Sequence, residues 1–275
     1  MCFLFVLAFR WYESHRLICG GNRVDLEYAL YMGSTTQFHI EDVLSGNETF
    51  YGLRSSFGTQ DDRELILSEL HNSRPIYKQL PVDLRDLLVD TTAYAKLLND
   101  TSTGKLPKLD GRIFHVTMVL VGYRLVRISP LGGVRLPDSV STAVHLGLVA
   151  FLTTFLRQLD RRIPEIQLLY QLFRPLVQQY TDDSKDGDER ENQMVLLWLL
   201  FIGEAAVFKQ PDDEWLLPKA ARTIDALGLD TWDDANKLLT TLPWVNIVHN
   251  CPGEALWHRS VSYRSSRQDN LEYYY

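Results

Sequence analysis

The sequence predicts an all-α fold, an irregular multi-helix bundle, and three observations carry that expectation. Apolar residues return at helical spacing over most of residues 61–262. Proline, glycine and capping residues punctuate those runs at helix-like lengths. No alternating strand patterns separated by helices are visible, which leaves little for a parallel sheet, and no repeat of solenoid length is present.

The 275 residues are enough for one large domain, or for a domain with an irregular extension. A chain this long buries about 70–75% of its unfolded surface, so its core needs no staples. With 45% apolar and 23% charged residues, the composition is that of a globular chain and excludes a disordered or collagen-like one. Three cysteines, Cys2, Cys19 and Cys251, form no C-x-x-C pair, which speaks against a disulfide framework and for a reducing, intracellular setting. The apolar run from Cys2 to Phe9 lacks a basic flank and a small-residue cleavage site, and Arg10 ends it well short of a bilayer span. Without a secretion signal, the sequons at Asn47 and Asn99 carry no weight.

Residues 1–60 read as an irregular extension of loops and short helices, because Gly20-Gly21, Gly33-Ser34, Gly46-Asn47 and Gly52 interrupt every periodic run. From there the pattern strengthens. Asp61-Asp62 can cap a short helix through Leu65, Ile66 and Leu70, which Pro75 closes. Pro81 suits the first position of a second helix carrying Leu84, Leu87, Leu88, Ala95 and Leu98, with a stop at Asn99 to Gly104. A third opens at Gly111, where Phe114, Met118, Val121 and Leu125 fall on one face, and it ends at the turn Ser129 to Gly133. Asp138 or Ser139 can cap a fourth, whose stretch Val144 to Leu156 is apolar nearly all round. That stretch is too short for a membrane span and predicts a central buried helix.

Pro164 opens the next helix, with Ile166, Leu169, Tyr170 and Phe173 on one face and a kink expected at Pro175. The acidic stretch Asp182 to Glu191 reads as a solvated loop, with a partner-docking segment as the sharper alternative. It precedes the amphipathic stripe Met194, Leu197, Trp198, Phe201, Ala205 and Phe208. Pro211-Asp212-Asp213 begins a segment that reaches a stop at Gly228, and Thr231 with Asp234 resembles a capping box for the helix holding Leu238, Leu239 and Leu242. Pro243 breaks that helix. Trp244 and Val245 form a connector, Pro252 can open a last helix with Leu256 and Trp257, and residues 263–275 read as a frayed tail.

The chemistry-bearing patterns are missing. There is no G-x-G-x-x-G, no phosphate-binding G-x-x-x-x-G-K-[ST], no nucleophile elbow and no H-E-x-x-H, so no catalytic residue and no cofactor site is expected. His249, Cys251 and His258 match no common zinc spacing and lack a fourth ligand, so no metal is expected either. Asp212-Asp213-Glu214 fits helix capping and the dipole better than paired catalytic acids. A net charge of -7 disfavours phosphate-backbone binding, and Arg161 with Arg162, or Arg259, Arg264 and Arg267, make no more than short basic spots. What is left is a possible ligand or partner pocket at His145, Trp198, Phe201, Trp215 and Trp244; core packing is the plainer account of the tryptophans, and a buried, bonded side chain that of His145.

A family likeness enters through the order of segments. Tyr123-Arg124-Leu125-Val126, Pro130-Leu131 and His145 to Leu152 come first. Leu197 to Gly203, Trp215-Leu216-Leu217-Pro218, Leu227-Gly228-Leu229, Thr231-Trp232, Pro243-Trp244-Val245 and Pro252 to Trp257 follow. Over residues 111–258 this order resembles the helical regulatory region of fungal-specific transcription factors. The resemblance implies a nuclear regulatory role for a helical domain spanning 61–262. Members pair that region with a six-cysteine zinc cluster that binds DNA, and three scattered cysteines cannot form one. The implied protein therefore acts through protein partners, transcriptional components among them, or through a small ligand, without direct DNA binding and without a membrane. The alternatives are a stand-alone helical binding or scaffold protein, cytoplasmic rather than nuclear, and an enzyme whose site lies between helices.

Overall fold

In a computed structural model of the chain, residues 19–38, 79–159, 165–180 and 189–272 are described. These residues form nine α-helices and no strand: α1 (Cys19–Met32), α2 (Val82–Ser102), α3 (Gly111–Ile128), α4 (Ser139–Leu159), α5 (Gln167–Gln179), α6 (Glu189–Ala206), α7 (Asp213–Leu227), α8 (Trp232–Leu239) and α9 (Asn246–Glu272). A 3-10 turn at Gln210–Asp212 leads into α7. The fold is all-α, a multi-helix bundle. The short helix expected after Asp61-Asp62, the Arg161-Arg162 pair, Pro164 and most of the acidic stretch lie outside the described residues.

Helices α4 and α6 are the axis of the core. From Ala143 to Leu156 every residue of α4 is buried, and so is every residue of α6 from Val195 to Gly203. They approach closely because Gly147 has no side chain: a Cβ there would stand 2.4 Å from the Trp198 ring and 2.9 Å from Leu199. Around this pair, α3 and α5 pack on α4, while α7 and α9 pack on α6 and on each other. The sequence argument against a membrane span by length does not hold, since Ser139–Leu156 is long and apolar enough to cross a bilayer. In the fold it is a core helix, with 83% of that stretch buried inside the bundle.

Several ends follow the sequence. Asp110 caps α3 by accepting from the Arg112 and Ile113 N–H groups, and Asp138 accepts from Ser141 N–H at 2.6 Å ahead of α4. Thr231 accepts from Asp234 N–H to start α8, and Gly228, at φ 64°, turns the chain out of α7 as only glycine does readily. Helix α5 continues through Pro175, which faces solvent, as does Gln171, so water can take the carbonyl that proline leaves unbonded.

Other ends differ. Pro81 is the residue before α2 rather than its first, and α9 begins at Asn246, six residues ahead of Pro252. The last helix also continues to Glu272, past Ser262. The largest departure is α1, a 14-residue helix running straight through Gly20-Gly21. Tertiary contact overrides the weak local propensity. Leu26, Ala29 and Leu30 are fully buried, and Leu26 fills the notch left by Gly122 of α3, where a Cβ would come within 2.3 Å of it. Two further contacts fix α1: Asp25 accepts from the Tyr123 hydroxyl at 2.7 Å, and Gly132 N–H donates to Gly33 carbonyl at 2.8 Å.

Candidate functional site

Each of the five pocket candidates is held by a specific structural partner. His145 is buried on α4 and its Nε2 lies 3.0 Å from the Leu125 carbonyl of α3, so that nitrogen carries the proton. Burial, with repulsion from Arg135, pushes its pKa down against that hydrogen bond. Trp198 donates from Nε1 to the Pro243 carbonyl at 3.0 Å. Phe201 stacks on Trp232, with centroids 6.0 Å apart. Trp215 meets Phe208 edge-on at 5.0 Å and donates to Asp212. Trp244 is fully buried and donates to the Asn250 side chain at 2.9 Å. Trp198, through the Pro243 carbonyl, and Trp244 both bear on the connector between α8 and α9.

That connector, Pro243 to Asn246, is bonded from several helices. Asn99, at the end of α2, spans it with one amide: Nδ2 donates to the Trp244 carbonyl at 2.9 Å and Oδ1 accepts from Asn246 N–H at 2.8 Å. His249 accepts the Val245 N–H at Nδ1, 2.9 Å away, which places its proton on Nε2. Nε2–H then faces the Thr154 hydroxyl at 3.0 Å, and that hydroxyl donates onward to the Phe151 carbonyl at 2.7 Å. Every polar atom of the imidazole is therefore satisfied in its neutral form. Burial depresses the His249 pKa to about 3, and the rings of Phe151, Phe155 and Trp244 surround it. Sequence reasoning missed Asn99 and took His249 only as a candidate ligand. No spacing signal joins residues 99 and 246.

A second polar node lies where α5, α6, α7 and α9 approach one another. The Asp212 carboxylate is fully buried and accepts from four donors: Arg174 Nε at 2.6 Å, Trp215 Nε1 at 3.1 Å, the Tyr170 hydroxyl at 3.2 Å and Lys209 N–H at 3.0 Å. Burial pushes its pKa up, but the hydrogen bonds outweigh burial and hold the carboxyl below the ordinary aspartate range. Next to it, Arg259 of α9 clamps Asp213 through both carboxylate oxygens and also reaches Glu204 of α6. Burial raises the Glu204 pKa, with Arg259 opposing. The acidic run Asp212-Asp213-Glu214 thus divides three ways, into a buried acceptor, an arginine partner and an exposed first-turn residue.

The buried His249 is saturated by Val245 N–H and the Thr154 hydroxyl, and Asp212 is enclosed by its four donors. His249, Cys251 and His258 do not converge: the first is buried, while Cys251 is exposed and His258 stands near Glu254 at the surface. Among the described residues no three His, Cys, Asp or Glu side chains are grouped to hold a metal ion. Asn99 is also committed through its amide nitrogen, so its sequon is unusable in the folded chain. The chain matches no protein-family model, no curated protein and no solved structure.

Proposed function

We propose that this chain is a non-catalytic, transcription-regulator-like helical domain that works through protein partners rather than by reading DNA itself. The observation carrying the reading is that the segments behind the resemblance pack on one another. Gly147, from the His145 to Leu152 segment, receives the ring of Trp198, from the Leu197 to Gly203 segment. Trp198 in turn bonds the carbonyl of Pro243, in Pro243-Trp244-Val245, and Gly253 of the last segment lies within a Cβ's reach of Trp232 and Trp244. The shared order of segments therefore corresponds to one packed unit. A core whose polar groups serve helix ends and connectors further favours binding over turnover.

The test is a tagged full chain expressed in its own cells, followed by localisation and capture. Nuclear accumulation with recovery of transcription components is the expected result. A cytoplasmic protein recovered with none of them overturns the proposal and leaves the scaffold reading.

A further inference from the structure

The buried Asp212 carboxylate is linked to the surface by the side chains that donate to it. Tyr170 and Arg174, one turn apart on α5, donate to Asp212 Oδ1 at 3.2 and 2.6 Å, and Trp215 Nε1 donates to the same oxygen at 3.1 Å. Three donors on one buried carboxylate oxygen hold one another in register. Arg174 spends only Nε on this bond. Its guanidinium carbon stands 6.0 Å from the centroid of the Trp215 ring, its side chain is 38% exposed, and among the described residues its terminal nitrogens meet no hydrogen-bonding partner. Lys209 reaches the same tyrosine, with Nζ 5.4 Å from the centroid of the Tyr170 ring. Burial, with Asp212, raises the Tyr170 pKa, and Arg174 and Lys209 are both near enough to that hydroxyl to oppose the rise. A fixed guanidinium fork and a flexible ammonium therefore flank two half-buried aromatic rings.

We propose that Arg174 and Lys209 form a binding site for a carboxylate presented by a protein partner, with Glu165 as its placeholder, an inference that rests on the reading of this chain as a partner-binding domain. Lys209 Nζ holds Glu165 at 2.6 Å, in a pair whose side chains are 41% and 53% exposed. A pair this open to water gains little from its contact, so an incoming carboxylate can replace Glu165 at small cost. The terminal N–H groups of Arg174 form a planar fork that matches the two oxygens of a carboxylate, and Asp212, enclosed by its own donors, does not compete for them. Charge favours a carboxylate over a phosphate. With Glu165 swung away, Arg174 and Lys209 against Asp212 leave a single positive charge, and the adjoining Asp213 and Glu204 outnumber Arg259, so a dianion is poorly matched. The Tyr170 and Trp215 rings, on either side of the carboxylate, then cover an apolar side chain next to it in the partner.

Titration of the full-length protein with acetyl-Phe-Glu-Leu-amide, followed by NMR at the Trp215 indole N–H, tests the site, with Trp215→Phe assigning the resonance. The shift should saturate with a Kd of about 1 mM, and the same peptide with glutamine should give no saturable shift. A phosphoserine counterpart should bind at least about threefold more weakly. Glu165→Gln, which removes the placeholder, should tighten binding about three- to tenfold, whereas Asp83→Asn, the loss of an exposed charge on α2, should leave it within about twofold. Lys209→Gln should weaken binding about fivefold; Arg174→Lys, which keeps the charge and loses the fork, should weaken it at least as much, with urea unfolding reporting whether the fold is retained. Absence of saturation in the wild type, phosphoserine binding as tightly as glutamate, equal tightening in Glu165→Gln and Asp83→Asn, or unchanged affinity in Lys209→Gln each overturns the proposal. A cytoplasmic chain that binds the glutamate peptide overturns the regulator reading alone, and a nuclear one that ignores it overturns the carboxylate site alone.

Discussion

His249 shows how a side chain with metal-ligand chemistry is spent on holding a connector. Its neutral form accepts from Val245 N–H and donates to Thr154, and protonation would set two N–H groups against each other at Nδ1. The folded pKa of about 3 lies below the value near 6.5 of an unfolded histidine, so the unfolded chain binds the extra proton between those limits. The stabilisation is therefore complete above pH 6.5 and is lost as pH falls toward 3, at up to about 1.4 kcal/mol per pH unit. His145, also depressed by burial, adds to the same slope. Urea unfolding from pH 7.5 to 4.5 should show stability falling across this range, and His249→Leu should flatten the slope while losing about 2 kcal/mol at neutral pH, since Val245 N–H and Thr154 lose a partner. Asn99 makes a comparable case. Asn99→Ala should cost about 2–3 kcal/mol by leaving the Trp244 carbonyl and Asn246 N–H unmatched, whereas Asn99→Gln should recover little because its longer stem misplaces both contacts.

At the scale of elements, the helices that the sequence makes legible are those whose ends carry their own signal. Asp110, Asp138, Thr231 and Gly228 act within three residues of the boundary they set, so local pattern reveals them. The start of α9 is different: Asn246 begins the helix because Asn99, 147 residues away in sequence, accepts its N–H, and Pro252 is a misleading local signal. The C-terminus of α5 is likewise completed from outside, by Lys219 of α7 donating to the carbonyls of Gln178 and Tyr180. Helix α1 is hidden for a related reason, because its stability comes from the Gly122 notch and the Asp25 contact rather than from its glycine-containing sequence. Gly122→Ala should therefore act at a distance. The new methyl would overlap Leu26, so the variant should lose about 1–3 kcal/mol and, by hydrogen exchange, lose protection first in α1 while α4 and α6 stay protected.

For the whole molecule, the helical class and the central position of α4 follow from composition and periodicity, whereas α6, which reads as an amphipathic stripe, is buried all round from Val195 to Gly203; the polar nodes that join the helices are not legible, because the members of each come from several elements. The pocket candidates were legible only as aromatic residues, and packing gives them separate partners. The node around Asp212 and Glu204 makes this testable, since its two carboxylates should respond in opposite ways. Asp212 is held below its unfolded pKa by its donors, so its stabilisation is present above about pH 4 and lost as pH falls further. Glu204 is raised by burial, so the folded chain takes up its proton more readily, and its ionisation at neutral pH works against folding. Removing the charge from Asp212 strands Arg174, Tyr170, Trp215 and the Lys209 N–H around a weaker acceptor. Removing it from Glu204 still leaves Arg259 its two bonds to Asp213. Asp212→Asn should accordingly cost about 3 kcal/mol, in the range for breaking a buried ion pair, and Glu204→Gln no more than about 1 kcal/mol, both read from urea unfolding at pH 7. A loss near 3 kcal/mol in Glu204→Gln would mean that Arg259 needs both Glu204 and Asp213, and that α9 is held to α6 and α7 by the three charges acting together rather than by the pair at Asp213.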